Sequence, residues 1–250
     1  MATDPFERWR AFSQARIGLG RVGDSLPTRA HLELREAHAR ARDAVHRRVD
    51  FDALARALPD LAPQRVRSQA GDRAVYLRRP DWGRRLSPES RAVLQAQRGA
   101  FEVAVVVADG LSASAIDARA VPLVRALRDE LAELRWAPLV LAEQARVALG
   151  DEVGEVLGAE LVVVLIGERP GLSVSDSVGL YVTHAPAIGR SDAERNCISN
   201  VHDGGLGIVE AAQHLAALVR ESRRLGTSGV KLKLEAPEPA LVLTGSTERP

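Results

Sequence analysis

Apolar and polar positions divide the chain into two regimes, and the change falls near Phe101. Downstream, short apolar runs alternate with helical periodicities. FEVAVVVADG starts at Phe101 as a continuous apolar run and closes on Asp109-Gly110, the pattern of a strand buried on both faces followed by a sharp turn. In 111–134, Leu123, Leu127, Leu131 and Leu134 recur at helical spacing, and Pro122 marks a kink or a new first turn. APLVLAE (137–143), LVVVLIGE (161–168) and VGLYVTHAP (178–186) have the pattern of three further strands. Residues 150–160 have the pattern of a helix. An amphipathic helix over 207–226 stops at Gly226. Strands alternating with helices predict a parallel sheet with helices on its faces.

The upstream region is rich in Arg, Ala and Leu. His31–Val45 has helical spacing, with Leu34, His38, Ala41 and Val45 on one side and Thr28 as the expected N-cap. A second helix is expected over Phe51–Leu58, ending before Pro59. Residues 71–90 are turn-rich, and Ser87-Pro88 then opens another helix. The expected class is α/β: a mainly helical N-terminal region (1–100), which would carry partner contacts, followed by a Rossmann-like, mostly parallel sheet domain (101–233). The stretch 234–250 has three prolines and no period, and is expected to be a disordered tail.

Composition narrows the function classes. Hydrophobic residues make up 46% and charged residues 27%, so a core can form; with 4% aromatics it is aliphatic. A net charge of +1 gives no electrostatic footprint for nucleic acid. Cys197 is the sole cysteine, so no intrachain disulfide can form, which fits a reducing cytosol. The charged N-terminus is unlike a signal peptide, and the longest apolar stretch, Leu161–Gly167, is too short for a bilayer. A cytoplasmic protein without membrane contact is expected.

Isolated motifs carry little. GLGRVG (18–23) matches G-x-G-x-x-G, but the segment before it is helix-like and Pro27 follows closely, so a loop is favoured over a dinucleotide site. His31, His38 and His46 are too widely spaced for a metal site and suit a surface or interface role. His202-Asp203 near Cys197 reads as a polar loop rather than a thiol nucleophile with its base. Three loops together say more. ADGLSAS (108–114), GERPGLSVSDS (167–177) and RNCISN (195–200) each follow an expected strand. In an open parallel sheet, ligands bind beyond the carboxyl ends of the strands. Ser112 can cap the next helix, Pro170 stiffens the second loop, and Gly171 allows close backbone approach.

These loops, with LGRVGDSLPT (19–28), ARDAV (41–45), RPDWGRRL (79–86) and ARVALGD (145–151), resemble the ethanolamine ammonia-lyase small-subunit family. The resemblance runs in order from about residue 9 to residue 232. Its most specific pieces are IGERPGL and CISN. It implies a partnership with a barrel-shaped large subunit, with adenosylcobalamin between the two chains. It also implies conversion of ethanolamine to acetaldehyde and ammonia, with no catalytic residue on this chain. The family's cofactor contacts fall on Val147, Glu168 and Cys197. Glu168 would accept amide N–H groups of the corrin, Val147 would offer an apolar surface, and Cys197 would pack as a small, polarisable group.

Two positions depart from the family pattern. Ala37 precedes His38 where Asp is frequent, and Arg119 stands where His is frequent; both are expected to lie away from the three loops. No D-x-H-x-x-G occurs, the motif that replaces the lower base of some cobalamins with histidine, so the base-on form is expected. Encapsulation in a bacterial microcompartment stays open. Two other readings remain: a freestanding Rossmann-like, nucleotide-dependent enzyme, which needs a glycine-rich first turn, and an assembly protein without a ligand.

Overall fold

A computed structural model of the chain describes residues 6–10, 12 and 15–232; the expected tail at 234–250 lies outside them. In chain order the helices are α1 (Glu7–Arg10), α2 (Thr28–His46), α3 (Phe51–Ala57), α4 (Arg73–Arg78), α5 (Pro88–Gln95), α6 (Ala113–Glu130), α7 (Leu149–Leu157) and α8 (Ile208–Leu225). The strands are β1 (Gln64–Arg67), β2 (Phe101–Ala108), β3 (Val140–Glu143), β4 (Ala159–Gly167), β5 (Val178–His184) and β6 (Arg195–Val201). They form one sheet in the order β1-β3-β2-β4-β5-β6.

The expected α/β class is what the structure has, with a mostly parallel sheet. Strands β1, β3, β2 and β4 pair in parallel. β5 then runs antiparallel to β4, and β6 antiparallel to β5. The reason is length: 168–177 and 185–194 carry no crossover helix, and a parallel return needs roughly a dozen residues or more.

Alternation along the strands sorts side chains between two layers. Val103, Val105, Val107, Leu161, Val163 and Leu165 face α3, α6 and α8. Ala104, Val106, Ala108, Val162, Val164 and Ile166 face α5 and α7. Both faces are covered, which is why β2 and β4 are nearly continuous apolar runs. The N-terminal helical segment shares this core, since Phe51 and Leu54 of α3 sit in the α6/α8 layer.

Several local expectations change. RNCISN is not a loop but edge strand β6, with Cys197 opposite Tyr181. Its residues are mostly polar, and Cys197, Ser199 and Asn200 are exposed. Thr28 is the first residue of α2 rather than its cap; Pro27 occupies that position without a side-chain bond. The buried stripe of α2 is Ala30, Ala37 and Ala44, while His38 is exposed. Pro122 neither stops nor restarts α6, which runs through it. Among the described residues no helix is long and apolar enough to cross a membrane.

Candidate functional site at the carboxyl edge of the sheet

The carboxyl ends of β2, β3 and β4 are tied together by backbone and side-chain bonds. Asp109, at the end of β2, accepts from Ala145 N and Gln144 N, each at 3.0 Å, and from Arg73 Nη1 at 3.3 Å. Burial pushes its carboxyl up to about 6, against the opposing pull of Arg73 and the backbone N–H groups. Gly110 has φ +56°, and a Cβ there would lie 2.2 Å from the Gly167 carbonyl oxygen. That close approach lets Leu111 N donate to Gly167 O at 2.8 Å. Asp109-Gly110 therefore forms the expected turn and also clamps β2 to β4.

The 168–177 segment is held from α6. Ser112 caps α6 by accepting from Ala115 N, and its hydroxyl donates to Ser175 O at 2.8 Å. Arg119 is buried; it donates to Asp176 O at 2.8 Å and pairs with Asp176 Oδ2 and Asp203 Oδ1 at 3.0 and 3.1 Å. The expectation that Arg119 lies away from the loops is thus corrected. Sequence spacing alone hid this, because more than fifty residues separate the partners along the chain.

The three expected contact residues come to one edge. Val147 and Glu168 line the same cleft of about 240 Å3. Tyr181 lines it too, and Cys197 stands opposite Tyr181 on β6. Glu168 is fixed at both ends: its N donates to Ser177 O at 3.0 Å, and its Oε2 accepts from Asn200 N at 3.1 Å. Cys197 stands beside Tyr181 across the β5–β6 pair, and desolvation, with the Glu168 charge adding to it, holds the thiol above its ordinary range. A neutral thiol packs rather than attacks. His202 and Asp203 do not serve it: His202 Nδ1 accepts from Gly204 N within its own turn, and Asp203 pairs with Arg119.

Sequence reasoning passed over three residues here. Tyr181 forms part of the cleft wall. Tyr76, fully buried, donates its hydroxyl to Ala145 O at 3.0 Å. Arg146, next to Val147, stacks over the Tyr76 ring at 4.3 Å from the centroid. Tyr76 falls in the turn-rich 71–90 stretch, where no periodicity marks it. Arg146 was detectable only as the neighbour of Val147. A roomier hollow of about 320 Å3 lies between α2 and residues 171–175, but it contains none of the three expected contacts.

What the cleft can do follows from its walls. It offers an apolar surface (Val147, Ile166), an oriented carboxylate (Glu168) and two cations (Arg146, Arg169). That set suits an amphipathic ligand, or one edge of a larger one, bearing hydrogen-bond donors and an anionic group. No histidine lines it among the described residues.

Known proteins bear on this edge. The family described as "Ethanolamine ammonia-lyase light chain (EutC)" matches residues 3–233. The chain belongs to that family. Curated relatives named "Ethanolamine ammonia-lyase small subunit" are similar along almost their whole length. One from Pseudomonas syringae pv. tomato is 48% identical, covering 98% of this chain and 88% of its own. One from Xanthomonas campestris pv. campestris (strain B100) is 50% identical, covering 95% and 90%. One from Azotobacter vinelandii is 50% identical, covering 97% and 93%. For a light chain of this family, the cleft holding Val147 and Glu168 lies within the matched region, as do Arg119 and β6.

Proposed function

We propose that the chain is the small subunit of an adenosylcobalamin-dependent ethanolamine ammonia-lyase, and that the 240 Å3 cleft is its share of the cofactor site. The observation that carries this reading is the convergence of Val147, Glu168 and the Tyr181–Cys197 pair on one edge. Bound adenosylcobalamin would supply the radical chemistry that turns ethanolamine into acetaldehyde and ammonia. This chain's residues bind and orient. Glu168, already steered by Asn200 N, would accept N–H groups from the corrin amides. Val147 would meet the ring or its lower base with apolar surface. Cys197, kept neutral beside Tyr181, would pack against the cofactor without taking a proton role. The cofactor would be held in its base-on form, since the sequence has no D-x-H-x-x-G and no histidine lines the cleft among the described residues.

The large catalytic subunit would close the other side of the cofactor, giving a hetero-oligomer. A freestanding nucleotide-dependent enzyme is disfavoured by the first turn of the sheet. There a buried carboxylate, Asp109, fills the place where a phosphate-binding turn would present backbone N–H groups. The test is cobalamin binding by the chain co-purified with its large partner. Micromolar or tighter binding that needs both chains is expected. Tight partner binding with no cobalamin dependence would instead make this an assembly protein. Turnover of ethanolamine by the isolated chain would overturn the need for a partner.

A further inference from the structure

We propose that Arg146 binds the phosphodiester of the cobalamin nucleotide loop; this rests on the cofactor reading above. Three observations carry the assignment. First, Arg146 lines the same cleft as Val147 and Glu168. Second, it has no counter-ion. The buried arginines Arg73, Arg119 and Arg195 each meet a carboxylate, Asp109, Asp176 and Asp151. Arg146 makes no ion pair among the described residues, and its Nε is buried without a hydrogen-bond partner. The acid that lines the cleft, Glu168, is engaged with Asn200 N instead.

Third, Arg146 is held in place before any ligand arrives. Its backbone N donates to Gly83 O at 2.8 Å, and its guanidinium lies 4.3 Å from the Tyr76 centroid. Gly83 permits this packing: a Cβ there would sit 2.9 Å from Tyr76 Cε2 and 3.0 Å from Arg146 Cγ. Tyr76 is itself fixed through its hydroxyl on Ala145 O. A guanidinium stacked on a ring keeps its in-plane N–H groups free at the edge, the fork that fits phosphate oxygens. Cobalamin's peripheral corrin chains are neutral amides, and the nucleotide-loop phosphodiester is its peripheral anion. An unpaired, preorganised cation in this cleft therefore selects that group over the amides. Arg169 also borders the cleft but is exposed and makes no hydrogen bond or ion pair among the described residues, so it lacks this preorganisation.

The test uses the assembled two-subunit complex and two probes: cobalamin, and cobinamide, which keeps the corrin amides but lacks the nucleotide loop. Binding is read by the change in corrin absorption. Arg146→Met is expected to weaken cobalamin about 10- to 100-fold, the usual range for losing a charge-assisted contact, with cobinamide affinity changed less than about twofold. Arg146→Lys, which keeps the charge but not the fork, should fall between wild type and Arg146→Met. Equal losses for both probes would overturn the proposal, because Arg146 would then shape the cleft or meet the partner. No loss for either would also overturn it. If Arg146→Met fails to assemble, Arg146→Lys decides: cobalamin affinity equal to wild type overturns the assignment, and a selective loss supports it. A wild-type complex that binds no cobalamin at all would instead defeat the cofactor reading underneath.

Discussion

Both carboxylate oxygens of Asp151 accept from Nη1 of Arg195, at 2.9 and 2.8 Å, joining the first turn of α7 to the first residue of edge strand β6. Both side chains are 3% exposed, and Arg195 Nη2 also donates to Arg190 O. The pair stands two residues before Cys197, so it sets where that side of the site lies. Arg195→Met would leave a buried carboxylate without its partner, at an expected cost of roughly 3–5 kcal/mol. Removing both charges together, Asp151→Asn with Arg195→Met, should cost less than the sum of the single changes. Urea denaturation of the four proteins checks this; a single-variant loss below about 1 kcal/mol would mean that β6 is held without the pair.

Burial raises Asp109 and Asp151 to about 6 in the folded chain, above the ordinary aspartate value. The folded state therefore binds protons at these groups between about pH 4 and 6 that the unfolded chain does not. The sign follows: their contribution to stability falls as pH rises through that window and is constant above it. Asp109→Asn should remove Asp109's share, on the order of 3 kcal/mol across the window. Stability measured at several pH values in wild type and variant tests it. A wild type that gains stability over Asp109→Asn as pH rises through the window would reverse the direction.

Glu168 links the β4 loop to the end of β6 through Asn200 N, yet still lines the cleft. Glu168→Ala is expected to weaken cobalamin binding about tenfold while the subunits still assemble. Glu168→Gln keeps an acceptor for Asn200 N and should lose less. Unchanged cofactor affinity in Glu168→Ala would count against the contact.

Gly110 and Gly23 have similar backbones, φ +56° and +62°, but different surroundings. A Cβ on Gly110 would lie 2.2 Å from Gly167 O, whereas one on Gly23 would meet nothing within 4 Å. Both alanine variants bear the left-handed backbone cost of roughly 1–2 kcal/mol. Gly110→Ala must also push β2 and β4 apart, so it should destabilise by at least about 2 kcal/mol more. Equal melting temperatures for the two variants would show that the β2–β4 clamp can yield.

Much of the fold was legible because burial on both faces writes itself into sequence. β2 and β4 had to be nearly all apolar, and α8 had to be amphipathic with its stop at Gly226. β1 and β6 were not legible. QRVR is only four residues with alternating exposure, and RNCISN exposes half of its residues and has Ile198 as its only aliphatic side chain, so neither carries a hydrophobic signal. Their strand character comes from pairing with β3 and β5. In α2 the expected stripe missed the buried one, because Ala30, Ala37 and Ala44 are small enough to pack closely yet contribute little to an apolar pattern.

The sequence by itself determined the α/β layering, the Asp109-Gly110 turn and the segments ARVALGD, IGERPGL and CISN that carry the family resemblance, because each depends on local periodicity or a local motif. Only the tertiary structure decided that Val147 and Glu168 share one cleft with Tyr181, that Arg119 holds the loop around Asp176, and that Arg146 stands on Tyr76 without a counter-ion among the described residues. These are relations between segments tens of residues apart. They arise when strand order and helix packing bring charges together in a buried setting, and no window along the chain records which charges will meet.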